Sequence, residues 1–177
     1  MNNIIAVIGM CGSGKSEAVK FFVENGYKKV YFGDVVLNEL KNKNLEINES
    51  NERMTREELR KTFGMGVMAL KSIDSIKKFF EHDNIVIESL YSWEEFKILK
   101  KEFGDNFKLL TVYTTKDLRY KRLSEREFRP LSEQEAISRD ISEIENLDKG
   151  GPIAYSDYLE INDSDLNDLR NKLIIYI

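Results

Sequence analysis

The chain has one cysteine, one histidine, two prolines and one tryptophan among 177 residues. A single thiol excludes a disulfide framework and a cysteine-built zinc site, and the lone imidazole, His82, puts a mixed zinc site out of reach. No apolar run approaches the ~20 residues that span a bilayer, and the N-terminus has no signal-peptide pattern. Positive charge is also short. Lys and Arg number 27 against 31 Asp and Glu, a net charge of −4, which argues against non-specific binding to nucleic acid or anionic membrane. A soluble, cytoplasmic protein with no nucleic-acid and no membrane partner is expected. There is no repeat, low-complexity tract or linker, and the length fits one domain, residues 1–177. With 41% hydrophobic residues, a chain of this size can bury roughly 70% of its unfolded surface without a metal or a disulfide.

The cations that are present are unevenly placed. Lysines run from end to end, whereas the nine arginines cluster as Arg53, Arg56 and Arg60, then as Arg119, Arg122, Arg126, Arg129 and Arg139, with Arg170 apart. The planar guanidinium grips phosphate or carboxylate with two parallel hydrogen bonds. Two such groups on an acidic chain suggest local anion sites. Glutamates at three- and four-residue spacings in both segments fit helix-surface salt bridges equally well.

Periodicity predicts a strand at Ile4–Ile8, a helix from about Lys15 to Glu24 and a strand at Lys29–Phe32. A mainly helical stretch follows from Val35 to Phe80, with a capping box at Thr55-x-x-Glu58 and interruptions at Gly64 and Gly66. Asn84–Glu88 reads as a third strand, and Ser92-x-x-Glu95 starts a helix that ends near Phe103-Gly104. Lys108–Thr114 is a fourth strand and Asp117–Glu127 a helix, broken by Phe128-Arg129-Pro130. Ser132-x-x-Glu135 restarts a helix to about Leu147, and Lys149-Gly150-Gly151-Pro152 reads as the clearest loop. Tyr158–Ile161 is a fifth strand, and Asp163 or Ser164 caps a last helix. Alternating strands and helices imply a parallel sheet covered on both faces, with ligands at the carboxyl ends of its strands. That rim comprises Gly9 to Ser16, Gly33-Asp34, Glu88-Ser89 and Thr114-Thr115.

Gly9-Met10-Cys11-Gly12-Ser13-Gly14-Lys15-Ser16 matches G-x-x-x-x-G-K-[ST] between a strand and a helix. Glycines let successive backbone N–H groups turn around phosphate oxygens, and the helix N-terminus adds partial positive charge. Lys15 would reach the β- and γ-phosphates, and Ser16 would hold Mg²⁺. A nucleoside triphosphate is therefore the expected ligand. Within the loop, Cys11 is most simply a small residue at a variable position, although a helix N-terminus and a lysine favour thiolate chemistry. An Asn-Lys-x-Asp guanine-reading motif is missing, which leaves GTP specificity unsupported.

The loop, followed by YFGD, VIES, KRLSEREFRP, SRD and YSDYLEIN, resembles P-loop nucleoside and nucleotide kinases. Within them it resembles the adenylate kinase-like and dephospho-coenzyme A kinase-like groups. The resemblance implies a three-layer α/β P-loop NTPase fold with a five-stranded parallel sheet. It also implies a small acceptor-side helical insertion at about 35–81 and a short lid at about 124–135. The implied activity is ATP- and Mg²⁺-dependent transfer of the γ-phosphoryl group to a small nucleotide-like acceptor. On this resemblance, Asp34 faces the acceptor as a base or a magnesium contact, where the residue alone reads as a helix N-cap. Glu88 takes the place of an acid that orients the magnesium shell, although the family's aspartate-glycine pair with a following arginine is here Glu88-Ser89-Leu90-Tyr91. Arg53 and Arg60 would clamp an anionic acceptor, with Arg56 equally suited to pairing with its glutamate neighbours. Arg122, Arg126, Arg129 and Arg139 would come from the lid onto the phosphates, and Arg119 is assigned to the surface. Tyr91 and Trp93 could stack on a planar ring, though core packing is the commoner fate of aromatics. A regulatory NTPase that hydrolyses ATP with no small-molecule acceptor is the competing expectation.

Overall fold

The computed structural model describes residues 2–177. In chain order the elements are β1 (Ile4–Ile8), α1 (Lys15–Glu24), β2 (Lys28–Tyr31), α2 (Gly33–Asn42), α3 (Glu49–Phe63), α4 (Val67–Phe80) and β3 (Ile85–Glu88). There follow α5 (Trp93–Phe103), β4 (Phe107–Tyr113), α6 (Lys116–Glu125), α7 (Glu133–Glu145), α8 (Gly150–Ala154), β5 (Tyr158–Ile161) and α9 (Leu166–Leu173). The strands form one sheet in the order β2-β3-β1-β4-β5. Every pairing is parallel, for example Ile5 opposite Val86 on one side and Lys108 on the other.

β1 is buried along its whole length, so its continuous apolar run serves both faces. Ile4, Ala6 and Ile8 point to a core closed by Val36 and Leu40 of α2, Leu59 of α3, Met68 and Ile76 of α4, and Phe96 and Leu99 of α5. Ile5 and Val7 point to the opposite core, closed by Ala18, Val19 and Phe22 of α1 and by Leu169 and Leu173 of α9. The result is a three-layer α/β fold with helices on both faces of a five-stranded parallel sheet. Chain order reverses about β1: the chain reaches β3 on one side and β4 on the other. The crevice above the carboxyl end of β1 is where such sheets place ligands.

Four expectations are corrected. The helical stretch 35–80 is three helices, and α3 begins at Glu49, not at Thr55. Its cap is Asn48, whose side chain accepts from the Asn51 amide at 2.9 Å, while Thr55 lies buried in mid-helix. A segment dense in glutamate satisfies the box pattern by composition. The segment at Lys149–Pro152 is no loop: Gly150–Ala154 form α8, with Pro152 in the first turn, where its missing N–H leaves no bond unmade. α9 is capped by Asp165, not by Asp163 or Ser164. Arg119 is buried. Among the described residues no helix is long and apolar enough to cross a membrane.

Candidate functional site

The segment Gly9–Gly14 leaves β1 and opens α1 at the centre of the sheet. Gly9 has φ 152°, and a methyl group there would lie inside contact distance of the Val112 carbonyl oxygen on β4. Gly14 has φ 98°, and a methyl group there would meet the Asn162 side-chain amide. Both positions demand glycine for conformation and for space. The loop is braced from outside by three elements. Asn162, just past β5, donates Nδ2 to the Ser13 carbonyl at 2.9 Å, and Thr114, just past β4, lies 3.1 Å from the same oxygen through Oγ1. Arg119 of α6 donates to the Cys11 carbonyl at 2.9 Å.

Arg119 is fixed in turn. Its fork pairs with Asp140 of α7 at 2.9 and 2.6 Å, and Tyr120 donates to the same carboxylate at 3.1 Å. A buried guanidinium needs such a partner. The Arg119–Asp140 pair therefore links loop, α6 and α7, and it is structural where the sequence suggested surface.

Lys15 folds over the loop and donates Nζ to the Met10 carbonyl at 2.8 Å. Burial, and after it the charge of Lys149, lower its ammonium pKa to about 7, with Glu143 working in the opposite direction. Lys149 is wholly buried, donates to Glu143 Oε2 at 2.7 Å and lies 4.6 Å from the centre of the Tyr91 ring. Arg139 donates to the other Glu143 oxygen at 3.3 Å. Burial works against the Glu143 carboxylate, yet Lys149, Lys15 and Arg139 hold its pKa below the usual value. Three cations thus share one carboxylate beside the loop. Such an excess of positive charge in a desolvated place is suited to an anion.

From this cluster a cavity of about 1080 Å³ extends between the sheet rim and α2–α4. Arg53, Arg56 and Arg60 of α3, Tyr31, Ser89 and Tyr91 at the strand ends, and Arg129, Arg139 and Glu143 line it. Residues 126–132, between α6 and α7, form its roof on one side. There Arg126 donates Nε to the Arg129 carbonyl at 2.5 Å, and Arg129 donates to Glu49 of α3 at 2.7 Å.

The residues singled out in the sequence thus fall in two sets. Arg53, Arg60, Tyr91, Arg129 and Arg139 meet on the cavity wall, and Lys15 shares the charge cluster at its edge. Asp34 is exposed on the first turn of α2, and Glu88 at the end of β3 pairs with Lys29 at 3.2 Å; neither lines the cavity. Arg122 is occupied by the Asn162 and Ser164 carbonyls at 3.0 and 3.1 Å. Ser16 is exposed in the first turn of α1, and the hydroxyl of Ser13 is buried with no partner. Trp93 packs in the core, stacked on Phe96 at 4.9 Å. Among the described residues no three His, Cys, Asp or Glu side chains converge as a metal cage. Sequence reasoning missed Glu143, Lys149 and Asp140. The one available signal was the i, i+4 spacing of Arg139 and Glu143, which surface pairs share.

A family model described as an AAA domain matches residues 5–147. A UPF0200 protein of Methanosarcina mazei is 36% identical over 126 residues, which cover 71% of this chain and 67% of that protein. Among solved structures, TT1252 from Thermus thermophilus superposes with a TM-score of 0.64 at 18% identity, covering 99% of this chain and 96% of that one. Dephospho-CoA kinase from Campylobacter jejuni superposes with a TM-score of 0.56 at 17% identity, covering 99% and 95%.

Proposed function

The chain belongs to the AAA-domain family and to the UPF0200 proteins, with a P-loop kinase-like fold, and from that premise we propose that it is an ATP-dependent phosphotransferase acting on a small, nucleotide-like acceptor. The observation that supports this most is the position of the cavity. It opens beside the loop lysine and is lined by arginines from α3, α7 and the roof segment. A switch that only hydrolyses nucleotide has no need of a large arginine-lined cavity beside its loop.

The loop fits a polyphosphate. Its glycine positions have no space for a side chain, its Cys11 and Ser13 carbonyls are tied outward, and its lysine lies folded on the loop. Gly9, Cys11, Gly12, Ser13, Gly14, Lys15 and Ser16 are the proposed ATP-binding residues, with Arg139 from α7. Ser16, and Glu88 from the strand end, are the proposed magnesium-side groups. A bound magnesium ion would draw charge from the phosphate oxygens. Lys15, Arg126 and Arg129 would stabilise charge on the phosphoryl group in transit, since phosphoryl transfer depends on positioning and electrostatics. Roof closure would exclude water and limit wasteful hydrolysis.

Arg53 and Arg60, with Tyr91, are the proposed acceptor contacts. Three arginines of α3 on the cavity wall, and Asp34 off it, favour an acceptor that presents a phosphate over one that must lose a hydroxyl proton. The test is ADP release from ATP·Mg²⁺ across nucleoside monophosphates, their deoxy forms, dephospho-coenzyme A and nucleosides, with Lys15→Ala as the blank. One phosphate-bearing acceptor should raise the rate far above the acceptor-free background. Equal rates with and without every acceptor would return the reading to an acceptor-independent NTPase.

A further inference from the structure

Two buried atoms of opposite charge lack partners on the acceptor side: Nε of Arg60 and Oε1 of Glu95. Unpaired buried polar atoms are few in folded proteins, and each is costly to leave without a partner. Glu95 is wholly buried at the third position of α5. Its other oxygen, Oε2, accepts from the amides of Tyr91 at 2.7 Å and Ser92 at 3.0 Å, which completes a capping box. The Ser92 hydroxyl donates to the Met65 carbonyl at 3.1 Å. Met65 follows the end of α3, whose last turn carries Arg60 and is closed by a 2.8 Å bond from the Gly64 amide to the Arg60 carbonyl. The start of α5 and the end of α3 are thereby stitched together at the cavity, where Arg60, Met65 and Tyr91 all stand on the wall.

A capping box needs only one oxygen and no charge, since glutamine serves in it as well as glutamate. The charge of Glu95 and its second oxygen are thus surplus to the cap. Burial lowers the pKa of Arg60 and raises that of Glu95, while each charge favours the ionised form of the other.

We propose that Glu95 is a positioning residue for Arg60, holding the guanidinium at the cavity wall so that its fork meets the phosphate of the acceptor. This rests on the reading of the cavity as an anion-acceptor site. Glu95 touches no substrate; it acts by fixing where and how the guanidinium stands. The cap and the anion site are then one device: the residue that starts α5 also aims α3's arginine.

The probe is inorganic phosphate, titrated calorimetrically into Lys15→Ala protein so that the loop contributes little. Glu95→Gln keeps both cap hydrogen bonds and removes the charge. It should melt within about 4 °C of its parent, the span of roughly 1 kcal/mol in a chain of this size, yet bind phosphate about tenfold more weakly. Arg60→Ala should lose at least as much, and the double variant should lose little beyond Arg60→Ala alone, since the Glu95 charge acts on phosphate only through Arg60. Ser92→Ala weakens the cap without touching the charge, so it should lower the melting temperature and leave phosphate affinity within twofold. Unchanged affinity in Glu95→Gln, independent multiplication of the two losses, or no phosphate binding by the Lys15→Ala parent would overturn the assignment. Turnover is not read in this experiment. A failed acceptor panel with these phosphate results intact would remove the kinase reading and leave the Glu95–Arg60 device standing.

Discussion

Lys15 carries a charge that titrates near neutral pH. Burial and the facing Lys149 lower its pKa to about 7, with Glu143 and Cys11 opposing and Arg139 adding to the effect. A phosphate in the loop favours the ammonium form, so its pKa must rise on binding and binding above pH 7 must take up a proton. A terminal phosphate with a second pKa of about 6 is already ionised there. ATP affinity should therefore be level just below pH 7 and fall by up to tenfold per pH unit above it, measured by titration calorimetry from pH 6.5 to 9. A flat profile to pH 9 would contradict the crowding. The folding contribution has the opposite sign. The folded lysine binds fewer protons than the unfolded one between about pH 7 and 10.5, so the nucleotide-free protein gains stability from this group as pH rises through that window. Lys149 makes a second prediction. Its replacement by methionine leaves Glu143 buried with only the half-exposed Arg139 as an ion-pair partner, and Lys15 nearby as the other cation. Breaking a buried pair from one side costs about 3–5 kcal/mol, which at ~2–4 °C per kcal/mol is a fall of at least 6 °C in Tm. Adding Glu143→Gln should recover more than half of that loss in thermal melts. A double variant no more stable than Lys149→Met would mean that packing, not charge, holds Lys149 in place.

At the scale of elements, the sheet was almost fully legible. Continuous apolar runs such as IIAVI and IVIE are readable because a doubly covered parallel strand has no polar face to confuse the pattern. The phosphate loop was legible for a related reason: its glycines answer to local backbone geometry at Gly9 and Gly14, which sequence records directly. What stayed hidden depended on contacts across the fold. α8 begins beside a lysine because that lysine reaches back six residues to Glu143, and no window of sequence shows a buried partner. Arg119 resembled its exposed neighbours, since only the packing of α6 on α7 reveals Asp140 opposite it. The start of α3 was missed because Asn48 is one of several possible caps in a polar stretch. The loop's braces are also tertiary. Asn162, just beyond the end of β5, holds the Ser13 carbonyl of the loop. Asn162→Ala should weaken ATP binding about five- to tenfold, the loss of roughly one neutral hydrogen bond, with a fall of a few degrees in Tm. Calorimetry and melts on the same sample separate the two effects. Undiminished affinity with a lowered Tm would make the brace a matter of stability alone.

For the whole molecule the question is what keeps the roof over the cavity. Residues 126–132 span from the loop-side helices to α3 with Arg129–Glu49 as the ion pair across the gap. Both side chains are more than half exposed, and an exposed pair of this kind contributes about 0–1 kcal/mol. The nucleotide-free roof should therefore open readily, and its Arg126–Glu127 bond should be an early site of tryptic cleavage. The Arg129–Pro130 bond should resist because of the proline. On the proposed function, a ligand that bridges the loop and the roof arginines would supply what the surface pair lacks. A saturating non-hydrolysable ATP analogue should slow cleavage at Arg126 by tenfold or more, because protection follows the population of the open form. Lys15→Ala should abolish that protection, while Arg129→Ala should speed cleavage of the nucleotide-free protein by no more than about fivefold, the equivalent of roughly 1 kcal/mol. Mass spectrometry of timed digests reads all three. Equal cleavage at Arg126 with and without the analogue, in protein shown by calorimetry to bind it, would mean that the roof does not respond to nucleotide. The arginines it carries would then have to be removed from the phosphate-binding set.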